Sequence, residues 1–167
     1  MSTHDPEVAS TAVRQCGAQV TVLFQLRPDD DWPPFLAEPL TGRLVTPFLV
    51  EITAAPRYAQ GVSRGDVVAV SMDGANFVGR HVRTPGGHAT VHVVAATDAE
   101  LAPVREVLVD LGATVETAGD VSMLVVDIPP HVELPAVERV LAAAVSMTCD
   151  YEISHARPAR DRQAGSR

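Results

Sequence analysis

The chain has 167 residues, of which 46% are hydrophobic and 4% aromatic. This is enough for one core or two small subdomains that share an interface, but it provides too few rings for a surface that stacks single-stranded nucleic acid. The net charge is −8. Residues 155–167 hold four of the 13 basic residues and one of the 21 acidic ones, so the rest of the chain has a net charge of −11. A protein body this acidic repels phosphate backbones, which excludes nucleic acid as a partner.

Targeting and redox features favour a soluble protein of the bacterial cytoplasm. No stretch reaches the roughly 20 apolar residues of a membrane-spanning helix, and residues 1–15 lack the basic and apolar regions of a secretory signal. Cys16 and Cys149 lie far apart without a CxxC pattern, which is typical of a reducing compartment. All basic residues are arginine and none is lysine, a composition typical of a GC-rich bacterial genome. We therefore expect no membrane partner.

The first half of the chain has the sequence pattern of short β-strands. Residues 1–18 are polar and aperiodic, which predicts a disordered lead. Apolar residues alternate with polar ones in the segments that follow, and Pro, Gly and Asp-Gly turns separate these segments. The predicted strands lie at 20–26, 44–45, 48–52, 67–70 and 76–83. Residues 19–88 therefore predict a small antiparallel sheet or open barrel of four to six strands.

The second half alternates strands with helices. Asp98 is the predicted N-cap of a helix whose apolar residues recur at helical spacing until Gly112, and a second helix follows Pro129-Pro130. Strands are predicted at 90–96, 114–117, 121–128 and 149–154, and the apolar positions of the two helices are Leu101, Val104, Leu108, Leu111, Leu134, Val137, Leu141 and Val145. The order over 89–154 predicts a ferredoxin-like βαββαβ half with its first and third strands central. The fold class is thus α+β, and 155–167 is predicted to be a disordered, Arg-rich tail.

Three segments of the sequence resemble a known family. They are FQL with DDWPP at 24–34, YAQGVSRGDVV at 58–68 and GHAT at 87–90. Over roughly 20–155 the chain is similar to the bacterial domain of unknown function 4265 (DUF4265) family, which implies a soluble bacterial protein of this architecture and no established activity. The Ser-Gly-His-Ser-Thr segment of that family is here Gly86-Gly87-His88-Ala89-Thr90, so the resemblance implies no serine chemistry at these positions.

Metal binding is not predicted, although His81, His88 and His92 lie close together in sequence. His88 and His92 share one face of a predicted strand about 13 Å apart at roughly 3.3 Å per residue. Both ligands of one zinc ion lie about 2 Å from it. We therefore predict no metal and no other cofactor.

A ligand site is predicted where basic residues gather. Between residues 56 and 92 four arginines and three histidines face only two acidic residues, and a Pro-Gly-Gly turn exposes backbone N–H groups. Arginine suits the capture of carboxylate or phosphate groups. The alternative is that these arginines pair with surface acids, which contributes little to stability. The predicted ligand-binding residues are Tyr58, Asp66, Arg80, Arg83, Gly86, Gly87 and His88.

These observations favour a non-catalytic module that binds a small anionic ligand or a protein partner, and no residue is predicted to be catalytic. No Gly-x-Ser-x-Gly motif is present. One alternative is an enzyme that acts on a small anionic substrate with His88 as general base and Asp66 orienting it. Another is a protein-neutralising partner whose acidic surface engages a basic target.

Overall fold

The protein folds as two sheets with two helices. The structure, a computed structural model, describes residues 15–119, 121–144 and 149–155. The predicted disordered segments 1–18 and 155–167 therefore lie largely outside the described residues, as do Asp120 and Val145. No helix in the described part of the chain is long and apolar enough to cross a membrane.

Five strands form a closed barrel in the first half. Neighbouring strands pair antiparallel, and the parallel pairing of Val22 with Phe77 and Leu23 with Val78 closes the ring. The strands are β1 (Gln19–Gln25), β2 (Ala37–Thr46), β3 (Leu49–Ile52), β4 (Val67–Asp73) and β5 (Asn76–Thr84). The strand number agrees with the prediction, but the open barrel was wrong because the first and last strands meet.

The barrel core follows the two-residue period of its strands. Alternate side chains of β1 to β4 point inward, as in β2, where Leu40 and Leu44 are buried. The first part of β2, 37–43, was not predicted as a strand, because Pro39 and Gly42 resemble strand breakers. In the barrel Gly42 lies where a Cβ atom would overlap the Val50 side chain, so the glycine allows two strands to pack closely.

The second half has the predicted element order over a four-stranded sheet. Its strands lie in the order β7-β8-β6-β9, so the two most apolar strands are central. Its elements are β6 (Ala89–Ala95), α1 (Asp98–Asp110), β7 (Thr114–Ala118), β8 (Met123–Ile128), α2 (Leu134–Ala144) and β9 (Cys149–His155). The N-cap of α1 is Thr97 rather than Asp98, and the Glu100 carboxylate accepts hydrogen bonds from the Thr97 N–H and hydroxyl.

The two faces of the second sheet differ in character. One face packs on both helices through residues such as Val91, Val126 and Leu141, all fully buried. The opposite face of β6 and β8 presents Thr90, His92 and Asp127. These polar side chains contact the segment of residues 53–66 and the β5–β6 connection, so a polar seam joins the barrel to the second sheet.

Candidate functional site

The centre of the seam is an ionic cluster on Asp127. This aspartate lies in the central strand β8 with a side chain only 3% exposed, and His88 Nδ1 lies 2.7 Å from its Oδ1 atom. Arg64 Nη1 approaches Oδ2 to 3.7 Å from the loop before β4, and its side chain is 46% exposed. Oδ2 has no hydrogen-bond partner among the described residues. Asp127, not Asp66, is therefore the carboxylate that orients His88, which corrects the pairing expected from the sequence.

Asp66 instead organises the backbone beside His88. Its buried carboxylate accepts hydrogen bonds from the Ser63 N–H at 2.8 Å and the Gly86 N–H at 2.7 Å. Gly86 lies so close to Gly65 that a Cβ atom would overlap the Gly65 backbone. The Pro-Gly-Gly turn is thus clamped against the 61–66 loop, and the Gly86 N–H is already used by a protein carboxylate.

The hydroxyl groups in the seam are structural. Ser63 Oγ and Thr90 Oγ1 lie 2.7 Å apart, both residues have no exposed surface, and Ser154 Oγ donates to the Thr90 carbonyl. A buried serine bonded to a threonine has no base to activate it. The described part of the seam therefore offers no serine nucleophile.

A third buried carboxylate, Glu38 of β2, holds the segment of residues 57–59. It is 7% exposed and accepts the backbone N–H groups of Arg57 at 2.7 Å, Tyr58 at 2.9 Å and Ala59 at 2.7 Å. Three successive N–H groups on one anion form a backbone nest. The side chains of Arg57 and Tyr58 consequently leave the nest in a fixed direction.

These side chains form one wall of a cleft of about 700 Å³ between the barrel and the second sheet. Trp32 packs edge-on against Tyr58 with 5.7 Å between ring centroids, and Phe35 packs at a tilt against Tyr58 with 5.9 Å between centroids. Positively and negatively charged residues share the lining. It consists of Gln25, Leu26, Arg27, Asp29, Trp32, Pro33, Arg57, Tyr58, Gln60, His92, Val94, Met123, Asp150, Tyr151 and Glu152.

The charged side chains in the cleft differ in the ion pairs and hydrogen bonds that they make. Arg27 and Arg57 make no ion pair with any residue in the described ranges. Glu152 accepts a hydrogen bond from Gln60 Nε2 at 3.2 Å, and Asp150 accepts one from the Tyr151 N–H at 2.8 Å. His92 Nε2 lies 2.9 Å from the Pro56 carbonyl oxygen. The two guanidinium groups are therefore available to a ligand.

The structure divides the sequence-predicted site between several places. Tyr58 lies in the cleft, whereas Asp66, Gly86 and His88 meet beside Asp127. Gly87 has a φ of +80°, and a Cβ atom there would lie 3.2 Å from Pro130, so glycine suits this turn.

The two remaining predicted arginines lie on β5. Arg80 Nε donates to Ser71 Oγ of β4 at 2.8 Å, and Arg83 is exposed. Of the four arginines between residues 56 and 92, Arg64 alone has a carboxylate within 4 Å among the described residues. A surface ion pair outside this region joins Arg43 to Glu51 at 2.6 Å, where the hydrogen bond and then the charge of the carboxylate raise the pKa of Arg43. Among the residues described, no three His, Cys, Asp or Glu side chains are grouped to hold a metal ion.

Sequence reasoning missed Asp127 and Glu38. Asp127 had a visible signal, because it is the one charged residue in the apolar run VSMLVVDI over 121–128. A carboxylate in a strand buried on both faces needs a partner on the layer that covers it. Glu38 had no comparable signal, since it stands beside Pro39 in a segment without an apolar run.

Comparisons with known proteins bear on the fold and the family. A crystal structure of a hypothetical protein from Neisseria gonorrhoeae is similar, with a TM-score of 0.65 and 17% sequence identity over 87% of this chain and 99% of that one. At this identity the similarity shows the fold alone. No curated protein matches the sequence. Residues 38–148, more than half of the chain, match the model described as domain of unknown function (DUF4265), so the chain belongs to the DUF4265 family.

Proposed function

We propose that the cleft between the two halves is a non-catalytic site, which binds a small polar ligand with one anionic group. The observation that carries this proposal is the pairing of an aromatic wall, Trp32 and Tyr58, with two arginines, Arg27 and Arg57, that make no ion pair with the described residues. A volume of about 700 Å³ lies within the range of roughly 300–1,000 Å³ that small-molecule sites occupy.

The arginine and the aromatic side chains of the cleft would contact different parts of the ligand. Arg57 and Arg27 present planar donor groups that suit a carboxylate or a single phosphate. The Tyr58 and Trp32 rings offer apolar surface to a flat or hydrophobic part of the ligand. The Glu38 nest fixes the backbone under Arg57 and Tyr58, which lowers the entropy that binding would otherwise cost.

The acidic residues of the cleft limit the charge of the ligand. Asp29, Asp150 and Glu152 line the same cleft as the two arginines. A polyanion would meet these carboxylates at close range and be repelled. The lining therefore favours a ligand with a single anionic group, and it favours a zwitterion whose ammonium group can face the acids.

The fold of the second half supports the same proposal. The strand order β7-β8-β6-β9, with two helices on one face, supports a ferredoxin-like interpretation of this half. Its other sheet face contacts the segment of residues 53–66 and contributes His92 and Val94 to the cleft. Clefts between subdomains are common places for ligand sites.

Fluorescence titration tests the proposal directly, because Trp32 is the only tryptophan of the chain and lines the cleft. The probes are 3-phenylpropionate and phenylalanine, which carry one carboxylate and no indole. We expect saturable changes in Trp32 emission, and we expect Arg57→Gln to weaken binding about tenfold, which corresponds to about 1.4 kcal/mol.

Arg83→Gln is the matched control, because Arg83 is an exposed arginine outside the cleft lining. It should bind both probes as the wild type does. Equal weakening by Arg83→Gln and Arg57→Gln, or no saturable change with either probe, would contradict ligand binding in the cleft. The latter result would favour the acidic surface as a site for a basic protein partner.

A further inference from the structure

We propose that His88 and Asp127 form an acid–base pair, in which His88 Nε2 transfers protons to and from a small ester substrate and Arg64 binds an anionic group of that substrate. This second site goes beyond ligand binding in the cleft, because none of the three residues lines the cleft. The inference rests on the geometry of the seam and stands whether or not the cleft binds a ligand.

The contact between His88 and Asp127 determines which ring nitrogen can act. Nδ1 lies 2.7 Å from a carboxylate oxygen, and a carboxylate can only accept a hydrogen bond from it. The neutral ring therefore carries its proton on Nδ1 and its lone pair on Nε2. His88 keeps a side-chain exposure of 20%, so the ring is held by a buried group while part of it faces outward.

The surroundings of the ring are fixed by several elements. Asp127 lies in β8 opposite Thr90 of β6, so its backbone is held in the central part of the sheet. On the other side, a Cβ atom at Gly65 would lie 3.1 Å from His88 Cδ2 and 3.5 Å from Nε2, so this edge of the ring lies against the loop at a position where glycine has no side chain. Asp66 ties that loop to Gly86. Such a supporting shell is what an acid–base residue needs to keep its orientation.

Comparison of the three carboxylates that are buried in the described part of the chain distinguishes a reactive role from a structural one. Glu38 accepts three backbone N–H groups, and Asp66 accepts those of Ser63 and Gly86, which is typical of structural anions. Asp127 instead bonds an imidazole, and its Oδ2 has no hydrogen-bond donor in the described part of the chain. Its charge is thus balanced by the side chains of His88 and Arg64, both partly exposed, rather than by fixed backbone donors.

Arg64 supplies the substrate preference. Its guanidinium is 3.7 Å from Asp127 Oδ2, too long for a hydrogen bond, and its side chain is 46% exposed. At this distance the charge of Asp127 attracts the guanidinium of Arg64, but the guanidinium makes no hydrogen bond to the carboxylate. An anionic group on a substrate can therefore engage Arg64 while a neighbouring ester carbonyl approaches His88.

The seam also restricts the chemical route. Ser63 and Thr90 are buried and bonded to each other, so the nucleophile is water rather than a hydroxyl side chain. His88 Nε2 takes a proton from water as the water oxygen bonds to the acyl carbon. The carbon–oxygen bond of the ester then breaks, and the imidazolium returns its proton to the leaving oxygen. The products are a carboxylic acid and an alcohol, and His88 is regenerated.

Two p-nitrophenyl esters serve as probes: the acetate, which is neutral, and the monosuccinate, which carries a free carboxylate. We expect the wild type to hydrolyse the succinate ester with saturation, and His88→Gln to slow it on the order of 100-fold. Arg64→Gln should raise KM for the succinate ester more than KM for the acetate, so the preference for the anionic ester should fall. His81→Gln is the matched control, because His81 is an exposed histidine on β5 and its loss should have no effect.

Asp127 is a positioning residue, so its test has a separate readout. In 15N–1H spectra of the wild type the neutral His88 ring should carry its proton on Nδ1, and in Asp127→Asn a fraction should move to Nε2 with a parallel loss of kcat. Three outcomes overturn the proposal: a wild-type ring protonated on Nε2, no hydrolysis of either ester by the wild type, or wild-type rates in a folded His88→Gln variant. The first two need no variant, so they decide the matter even if a substitution prevents folding.

Discussion

Removal of the Glu38 carboxylate is the sharpest perturbation of the fold. Glu38 is 7% exposed and accepts three backbone hydrogen bonds of 2.7–2.9 Å from residues 57–59. Glu38→Gln keeps the size of the side chain but replaces one acceptor oxygen with an NH₂ group. That group faces backbone N–H donors, so two donors oppose each other where an anion stood.

The expected loss follows from the three contacts. Hydrogen bonds to charged groups contribute about 1.5–3 kcal/mol each, which sets an upper limit of several kcal/mol. The N–H groups of Arg57 and Tyr58 are only partly buried and can be hydrated after the change, whereas that of Ala59 is buried. Relief of the desolvation of Glu38 offsets part of the cost. We therefore expect Glu38→Gln to lower the free energy of unfolding by about 2 kcal/mol and Glu38→Ala by about 3 kcal/mol.

Urea denaturation followed by Trp32 fluorescence and by far-ultraviolet circular dichroism measures these losses. Coincident transitions by the two probes establish the two-state behaviour that the comparison requires. Glu106→Gln on the exposed surface of α1 is the control, with an expected change within about 0.5 kcal/mol. If Glu38→Gln were as stable as Glu106→Gln, the backbone nest would not stabilise the fold and the reasoning would be wrong.

Two further predictions concern packing and are measured by thermal or urea unfolding. Gly86→Ala should destabilise the protein by about 3 kcal/mol, because its Cβ would overlap the Gly65 backbone, whereas Gly119→Ala, with no atom within 4 Å, should change little; equal effects would contradict the close approach. Leu141→Ala, at a fully buried position of α2, should cost about 3 kcal/mol. Its control is Val109→Ala at a position 49% exposed, and a similar loss there would refute the assignment of the core.

The second half was predictable because its periodicity is clear. Leu101, Val104 and Leu108 recur at helical spacing and are all buried in α1. The six residues of β8 are buried on both faces, as a continuous apolar run predicts for a central strand. Local pattern and tertiary packing agree here, so neither overrides the other.

The barrel shows where local pattern fails. Pro39 and Gly42 hid the start of β2, because each residue taken alone argues against a central strand. In the structure β2 pairs with β1 and β3, and Gly42 is needed where Val50 packs closely. Whether two strands approach closely depends on the residues of both strands. A short stretch of sequence contains only one of them, so it cannot show this need for glycine.

The candidate site was harder to predict because its members come from distant segments. Counting charges over 56–92 identified the region of His88 but gave equal weight to Arg83, which lies exposed on β5. The partner of His88 is Asp127, 39 residues away. Only the pairing of β6 with β8 brings these residues together. The sequence signal for this contact was an acidic residue, Asp127, in an apolar strand. Once the strand order is known, this signal identifies the partner of His88.

The buried carboxylates explain how two separate cores keep a defined relation. The apolar cluster of the barrel and that of the helical half are distinct, and a third cluster lies between them, in which Met123 and Val125 pack with Ala55 and Tyr58. Apolar contact alone does not set a direction. Asp127 helps to fix the orientation of the two halves, because its contacts with His88 and Arg64 form only when particular atoms meet across the seam. Asp127→Asn should therefore disturb the orientation of the two halves and the chemistry of His88 more than the stability of either core.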